Sequence, residues 1–155
     1  MPERHMTPSA VMLFLMRKTE KGTEILLQKR QNTGYGDGMW DCAASGHVEA
    51  GESMKAALIR EAGEELNIRL SWEQITFATL THKYIPKSTG SYYNAYFAAS
   101  QYEGEPIINE PHKCSALEWF NVNSLPSDIL PDRKEALENY FSHIPYDELG
   151  WEQCT

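Results

Sequence analysis

The stretch from Gly46 to Ile68 reads GHVEAGESMKAALIREAGEELNI and decides how the rest of the chain is interpreted. It predicts a helix over 53–66, with the residue at 53 as a serine N-cap. On a helical wheel of ~100° per residue, Glu61, Glu64 and Glu65 fall within one arc of roughly 100°. The adjacent arc carries the apolar residues Leu58, Ile59, Ala62 and Leu66. One side of the helix is therefore predicted to pack on a sheet, while the next side presents three carboxylates.

Three negative charges on adjoining turns of one helix repel one another, and this repulsion needs an explanation. The acids also lie in the C-terminal half of the helix, where the macrodipole disfavours negative charge. A divalent cation would offset both effects. Oxygen ligands without histidine or cysteine select Mg²⁺ or Mn²⁺ over zinc. The alternative is a solvated acidic face with no ligand.

The spacing of these residues is a second feature of the stretch. Five residues separate Gly46 from Glu52, and seven more precede the pair Arg60 and Glu61. The pattern resembles the Nudix box of the MutT-like Nudix hydrolases, GX5EX7REUXEEXGU, where U is a bulky aliphatic residue. The matching residues are Gly46, Glu52, Arg60, Glu61, Glu64, Glu65 and Ile68. Ala62 and Asn67 depart from it, at a U position and at the last glycine, and neither replaces a carboxylate.

The resemblance implies a fold, a cofactor and a reaction. The fold would be an α/β (α+β) arrangement, an α/β/α sandwich with a mixed β-sheet, formed by residues 1–155 as a single domain. The reaction would be Mg²⁺-dependent attack of water on a nucleoside diphosphate linked to another moiety. Carried over by position, the metal ligands would be Glu61, Glu64, Glu65 and the Gly46 carbonyl.

The remaining catalytic candidates from the resemblance are charged residues around this set. Glu52 and Arg60 would orient the ligand carboxylates, because arginine can hold a carboxylate through two parallel hydrogen bonds. The general base is left open among Glu61, Glu65 and Glu110, the last in a loop that precedes the final predicted strand.

The rest of the chain predicts strands with two interspersed helices, which favours a mixed sheet covered by helices on its faces. Strands are expected at 10–17, 24–30, 40–45, 75–85, 91–100 and 116–121. A glycine-rich loop is expected at 31–38, and a second helix begins at Pro131. Residues 145–155 give no clear signal.

Aromatic and basic residues outside the box are the candidates for binding substrate. Tyr35 and Trp40 flank the glycine-rich loop, and Lys83 could reach a phosphate. Alternation along a strand puts Tyr92 and Tyr96 on one face, which is either core or a platform for stacking a nucleobase.

Composition restricts the partners and the compartment. The 155 residues carry a net charge of -8, which argues against binding long nucleic acid and leaves a small nucleotide as the expected partner. Cys42, Cys114 and Cys154 form no CxxC pair, so a cytoplasmic location is expected. The longest apolar stretch, 10–16, is too short to span a membrane. A homodimer is the default assembly.

Two alternative functions stay open at this point. Cys42 lies just before the box, at a place that resembles the catalytic cysteine of isopentenyl diphosphate isomerases, which use a Nudix-like fold. The chain could also be a non-catalytic Nudix-like domain that binds a nucleotide. A complete set of box carboxylates favours hydrolysis over both.

Overall fold

A mixed sheet of eight strands organises the chain, and the computed structural model describes residues 2–88 and 90–151. The strands are β1 Ser9–Thr19, β2 Gly22–Arg30, β3 Trp40–Cys42, β4 Ala44–His47, β5 Thr76–Ile85, β6 Gly90–Ala99, β7 Cys114–Asn121 and β8 Tyr146–Leu149. The helices are α1 Met54–Leu66 and α2 Pro131–Phe141, with a 3₁₀ turn at Trp72–Gln74. The hydrogen-bonded strand order is β3-β2-β1-β6-β5-β8, while β4 pairs with β1 and β7 with β2.

The two edges of β1 are used differently, and this difference creates the site. One edge pairs in parallel with β6. The other edge is shared, because residues 10–13 pair with β4 and residues 16–19 pair with β2. The sheet therefore forks beside β1, and the fork leaves room for side chains between β2 and β4.

Alternation along β1 and β6 separates two apolar cores, one on each face of the sheet. On one face, Val11 and Phe97 pack with the buried α1 residues Leu58 and Ala62. On the other face, Ala136 and Leu137 of α2 pack against residues of β1 and β6. These strand residues are Met12, Phe14, Tyr96 and Ala98. The predicted α/β/α sandwich with a mixed sheet is confirmed, since the two helices cover opposite faces.

Local signals explain where α1 begins and ends. The Ser53 side chain accepts a hydrogen bond from the Ala56 backbone N–H at 3.1 Å, as an N-cap does. At the other end, Asn67 adopts a left-handed conformation with φ 56°. Asparagine tolerates this conformation, so the departure from the box glycine leaves the helix end intact.

One prediction about strands was wrong, and one strand was not predicted. Residues 40–45 form two strands, because β3 pairs with β2 and β4 pairs with β1. The chain changes partner at Ala43, so one continuous strand would leave one of these pairings unmade. The strand that was not predicted is β8, in a stretch without a clear pattern. It lies at the sheet edge, in parallel with β5, and its residues alternate between half-buried and exposed.

The described part of the chain bears on two expectations about compartment. Cys42 and Cys114 are both free and buried, whereas Cys154 lies outside the described residues. Within residues 2–88 and 90–151, neither helix is long and apolar enough to cross a membrane.

Candidate active site

A cleft of about 910 Å³ opens at the fork of the sheet and continues across the face of β6. Its first end, which we call the carboxylate end, is formed by Gly46, Glu61, Glu64, Glu65 and Glu110. Its other end is lined by Tyr35, Tyr92, Asn94 and Arg133. The topology thus brings residues from α1, β4 and a distant loop to one place. The three acids of α1 lie together there, as their spacing along the helix predicted.

Glu65 lies at the fork itself and is held from two strands. The Ser45 backbone N–H donates to Glu65 Oε2 at 2.9 Å, and Gln28 Nε2 lies 3.3 Å from Oε1. The same Gln28 nitrogen lies 3.1 Å from the carbonyl oxygens of Cys42 and Ala43, where the chain changes partner. Gln28 therefore supports both the fork and the carboxylate. Sequence reasoning missed it, because a glutamine on a strand carries no distinctive signal.

The Glu61 carboxyl packs directly against Gly46. A Cβ added at position 46 would lie 2.3 Å from the Glu61 carboxyl, a distance that atoms do not tolerate. The side chain of Glu61 is 15% exposed, so it has little space to move away. The absence of a side chain at Gly46 thus leaves room for the carboxyl of Glu61.

Arg60 is the counter-ion of the acidic cluster. Its guanidinium binds Glu52 through two hydrogen bonds of 3.1 and 2.7 Å, the geometry expected for a bidentate pair. It also donates to Glu61 at 2.6 Å and to the carbonyl oxygen of His47 at 3.2 Å. Glu52 is absent from the residues described as lining the cleft, so it acts through Arg60.

The repulsion predicted for the three acids is thus partly offset by Arg60, which also approaches Glu64 at 3.5 Å. Among the histidines, cysteines and acids that the structure describes, no group of three is arranged to hold a metal ion. The assignment of Glu61, Glu64 and Glu65 as metal ligands stays a prediction.

The protonation of the cluster shows what a cation would do there. The pKa of Glu65 is raised to about 8, chiefly by burial and also by the charge of Glu61, against the lowering effect of the hydrogen bond from Ser45. Burial also raises the pKa of Glu61, although Arg60 counteracts this effect. A divalent cation would favour the charged form of both groups. This all-oxygen set therefore fits a hard cation such as Mg²⁺.

Glu110 reaches the cleft because its loop caps the C-terminus of α1. The Ile107 N–H donates to the Leu66 carbonyl at 3.0 Å, and the Asn109 N–H donates to the Glu65 carbonyl at 3.1 Å. Helix carbonyls at this end have no partner within the helix, so the loop satisfies them. Glu110 thus lines the cleft with the box acids, and its role as a base stays a prediction.

The predicted substrate residues divide into two groups. Tyr35 and Tyr92 line the cleft, and Tyr35 is 43% exposed. The other three candidates, Trp40, Lys83 and Tyr96, are not among the described residues of the cleft, so the structure does not support them as substrate residues. Trp40 is 6% exposed and packs edge-on against an aromatic ring of β7, because its short strand lies under α2.

Tyr96 and Lys83 are both occupied by contacts within the protein. Tyr96 is fully buried and stacks on Phe14 with ring centroids 5.2 Å apart. Lys83 forms an ion pair with Asp132 at the start of α2 and is not among the described cleft residues. Alternation placed Tyr92 and Tyr96 on one face correctly, but only the end of that face is open.

A buried ion network lies beneath the far end of the cleft, and sequence reasoning did not find it. Asp41 is fully buried and contacts Arg133 and Arg30, each at 2.7 Å. Burial alone would raise the pKa of Asp41, but the two guanidinium groups hold it below its ordinary value. Arg133 also donates to the Tyr96 hydroxyl at 3.3 Å. A strand aspartate and a helix arginine, far apart in sequence, gave no signal of pairing.

The family of the chain follows from this fold and site. The model of the NUDIX domain matches residues 6–140, so the chain belongs to the NUDIX family. Membership of the Nudix hydrolase superfamily, predicted from the box, is confirmed. In structure the chain is similar to a MutT NUDIX hydrolase from Burkholderia pseudomallei, with a TM-score of 0.75 and 26% identity. That match covers 86% of this chain and 98% of the other.

Two curated relatives have different activities. An isopentenyl-diphosphate Delta-isomerase 2 from Photorhabdus laumondii is 30% identical over 102 residues, which cover 65% of this chain and 56% of the relative. An NAD-capped RNA hydrolase from Deinococcus radiodurans is 29% identical over 119 residues, which cover 76% of this chain and 38% of the relative. The chain spans less than two thirds of the length of either relative.

Proposed function

We propose that the protein hydrolyses a diphosphate bond in a small nucleotide, using Mg²⁺ or Mn²⁺ bound at the carboxylate end of the cleft. The substrate class is a nucleoside diphosphate linked to another moiety, with a nucleoside triphosphate as the default. The single observation that carries this proposal is that Gly46, Glu61, Glu65 and Glu110 line one cleft.

The residues of the chain have separate tasks in this proposal. Glu61, Glu64, Glu65 and the Gly46 carbonyl would hold the cation. When bound, the cation would neutralise the charge of the diphosphate and acidify a water molecule. Arg60 keeps the cluster oriented through its contacts with Glu61 and Glu52.

A carboxylate must accept the proton of the attacking water. Glu61, Glu65 and Glu110 all line the cleft, so each one is placed to do so. Glu110 differs from the others because it stands on a loop and is not one of the proposed cation ligands. The Mg²⁺ requirement of their variants separates Glu110 from the acids on the helix.

The isomerase alternative depends on Cys42, and the structure does not favour it. The thiol is 1% exposed and is not among the described residues of the cleft. Burial raises the pKa of the Cys42 thiol, and the adjacent Asp41 raises it further. A group in this environment is a poor acid or nucleophile. The likeness to an isomerase therefore supports shared ancestry rather than this chemistry.

The test is a panel of nucleotides incubated with Mg²⁺, with released phosphate and pyrophosphate as the readout. Glu65→Gln and Glu64→Gln should each lower kcat about a hundredfold or more, since a ligand charge is lost. Both variants should also need more Mg²⁺ to saturate. Glu110→Gln should lower kcat with an unchanged Mg²⁺ requirement if it is the base.

The matched control is Glu73→Gln, an exposed acid in the 3₁₀ turn outside the cleft. It should retain the rate and the metal dependence of the unmodified protein. Absence of hydrolysis across the panel, with nucleotide binding retained, would replace the proposal with the non-catalytic alternative. Equal kinetics for Glu64→Gln, Glu65→Gln and the control would remove the metal assignment.

A further inference from the structure

The segment that presents Glu110 to the cleft is held by hydrogen bonds on both sides of that residue. Before it, the Asn109 N–H donates to the Glu65 carbonyl, and Asn109 Nδ2 donates to the Glu64 carbonyl at 2.9 Å. After it, the Lys113 N–H donates to the Glu110 carbonyl at 3.0 Å and closes a turn. Glu110 therefore stands between an anchor on α1 and a turn that needs an anchor of its own.

The anchor of this turn is supplied by the two residues that follow β2, which lie 80 positions away in the sequence. Gln31 Nε2 donates to the Pro111 carbonyl at 2.7 Å, and Asn32 Nδ2 donates to the His112 carbonyl at 2.9 Å. The Gln31 N–H also donates to the Lys113 carbonyl at 2.9 Å. Three successive carbonyls of the turn are thus bound by two successive residues. We call Gln31 and Asn32 the amide clamp.

The ion pair between Glu110 and Lys113 is too loose to fix the Glu110 carboxylate. The two charged groups lie 3.9 Å apart, and the side chains of Glu110 and Lys113 are 31% and 53% exposed. An exposed pair of this length contributes little, because water screens it and both side chains lose freedom in forming it. The place of the carboxylate in the cleft therefore depends chiefly on the backbone of the turn, which the amide clamp holds.

The loop that carries the amide clamp is itself firmly held. The Asp37 carboxylate accepts hydrogen bonds from the Thr33 N–H at 3.0 Å and from the Thr33 hydroxyl at 2.6 Å. Arg30 Nε donates to the Tyr35 carbonyl at 2.7 Å, and the same guanidinium pairs with the buried carboxylate of Asp41. The loop is therefore a firm support for the turn, and it also presents Tyr35 to the cleft.

We propose that Gln31 and Asn32 are positioning residues for the reaction, which hold the Glu110 carboxylate where it accepts the proton of the attacking water. This inference rests on the proposed function and deepens it, because it selects Glu110 as the base and adds two residues outside the box. Loss of either side-chain donor would let the turn move away from the cleft. A displacement of about 1 Å can lower the rate of a positioned reaction up to about a hundredfold.

The experiment removes the two side-chain donors one at a time. Gln31→Met keeps the length of the side chain without its donor, and Asn32→Gly tolerates the left-handed backbone at that position, where φ is 55°. The substrate is whichever of the adenosine, guanosine, cytidine and uridine triphosphates the unmodified protein hydrolyses fastest. Each variant should lower kcat about tenfold. KM and the Mg²⁺ requirement should change less than about twofold, because Glu110 is not a proposed cation ligand.

A double-mutant cycle with Glu110→Gln separates positioning from a merely structural role. In the Glu110→Gln background, Gln31→Met should lower kcat less than about twofold, because the group that Gln31 positions is already gone. The matched control is Asn121→Ala, which removes a similar bond of 2.9 Å to the Lys21 carbonyl outside the cleft and should keep kcat. Unchanged kcat in both clamp variants, or the same loss with and without Glu110→Gln, would overturn the inference while leaving the hydrolase intact.

Amide hydrogen exchange measured by NMR tests the amide clamp without any reaction. In Gln31→Met, the Lys113 amide should exchange at least about threefold faster, since the turn opens more often. The Ile107 and Asn109 amides, which bond to α1, should keep their rates. Equal exchange at Lys113 in the variant and the unmodified protein would overturn the clamp. Faster exchange without hydrolysis of any of the triphosphates would support the clamp and count against the hydrolase.

Discussion

Replacing Asp41 by asparagine should destabilise the protein strongly, because it breaks the buried network while leaving its arginines in place. Asp41 is fully buried and pairs with Arg133, whose side chain is 9% exposed, and with Arg30, whose side chain is 18% exposed. Arg30 can regain some water, but Arg133 would retain a buried charge without a counter-ion. Breaking a buried ion pair from one side costs about 3–5 kcal/mol, a large part of a total stability of about 5–15 kcal/mol.

The assay is urea unfolding followed by circular dichroism. With a slope of about 2 kcal/mol per M, the midpoint of Asp41→Asn should fall by about 2 M. The matched control is Asp128→Asn. That carboxylate is 47% exposed and lies 3.7 Å from Lys29, so its loss should cost less than about 1 kcal/mol. A loss below about 1 kcal/mol for Asp41→Asn as well would refute the reasoning.

The same network predicts a dependence of stability on pH. The pKa of Asp41 is lower in the folded protein than its ordinary value, despite the opposing effect of burial. Its contribution is therefore fully present above the unfolded pKa of about 4 and is lost as the pH falls through the folded value. The difference in stability between the unmodified protein and Asp41→Asn should be constant near pH 7 and shrink only below about pH 4.

Three other predictions concern catalysis. Gly46→Ala should weaken Mg²⁺ binding and lower kcat at least about tenfold, because the added Cβ displaces the Glu61 carboxyl; a Mg²⁺ titration of activity checks this. Gln28→Leu should retain the fold but lower kcat about tenfold, since the Glu65 carboxylate loses a side-chain donor; unchanged kinetics would contradict it. Cys42→Ser should leave kcat within about threefold, because thiol chemistry has no part in water attack, and a loss beyond a hundredfold with the fold preserved would favour the isomerase.

The sequence predicted α1 and its acids because their information is local. A serine cap, a 3.6-residue apolar period and carboxylates spaced by three and four positions all lie within 23 residues from Gly46 to Ile68. The structure reproduces the cap, the buried face and the neighbouring acidic face. The sandwich also followed from the pattern, since alternating strands and two amphipathic helices allow few other layers.

The break at Ala43 and the strand β8 were beyond the reach of local patterns. Each depends on which strand edge is free for pairing, and that is known only once the other strands are in place. The same holds for Trp40 and Tyr96. Alternation gives the face on which a side chain lies, but the helix packed over that face decides whether the side chain is core or cleft.

The sequence by itself determined the family, the box helix and the grouping of its carboxylates on one face, because each of these depends on residue types at short spacing. Only the tertiary structure decided that Gln28 holds Glu65 and that Asp41 pairs with Arg133. These relations join residues as many as 92 positions apart. A hydrogen bond or an ion pair requires distances near 3 Å, and for such residues the fold alone sets the distance.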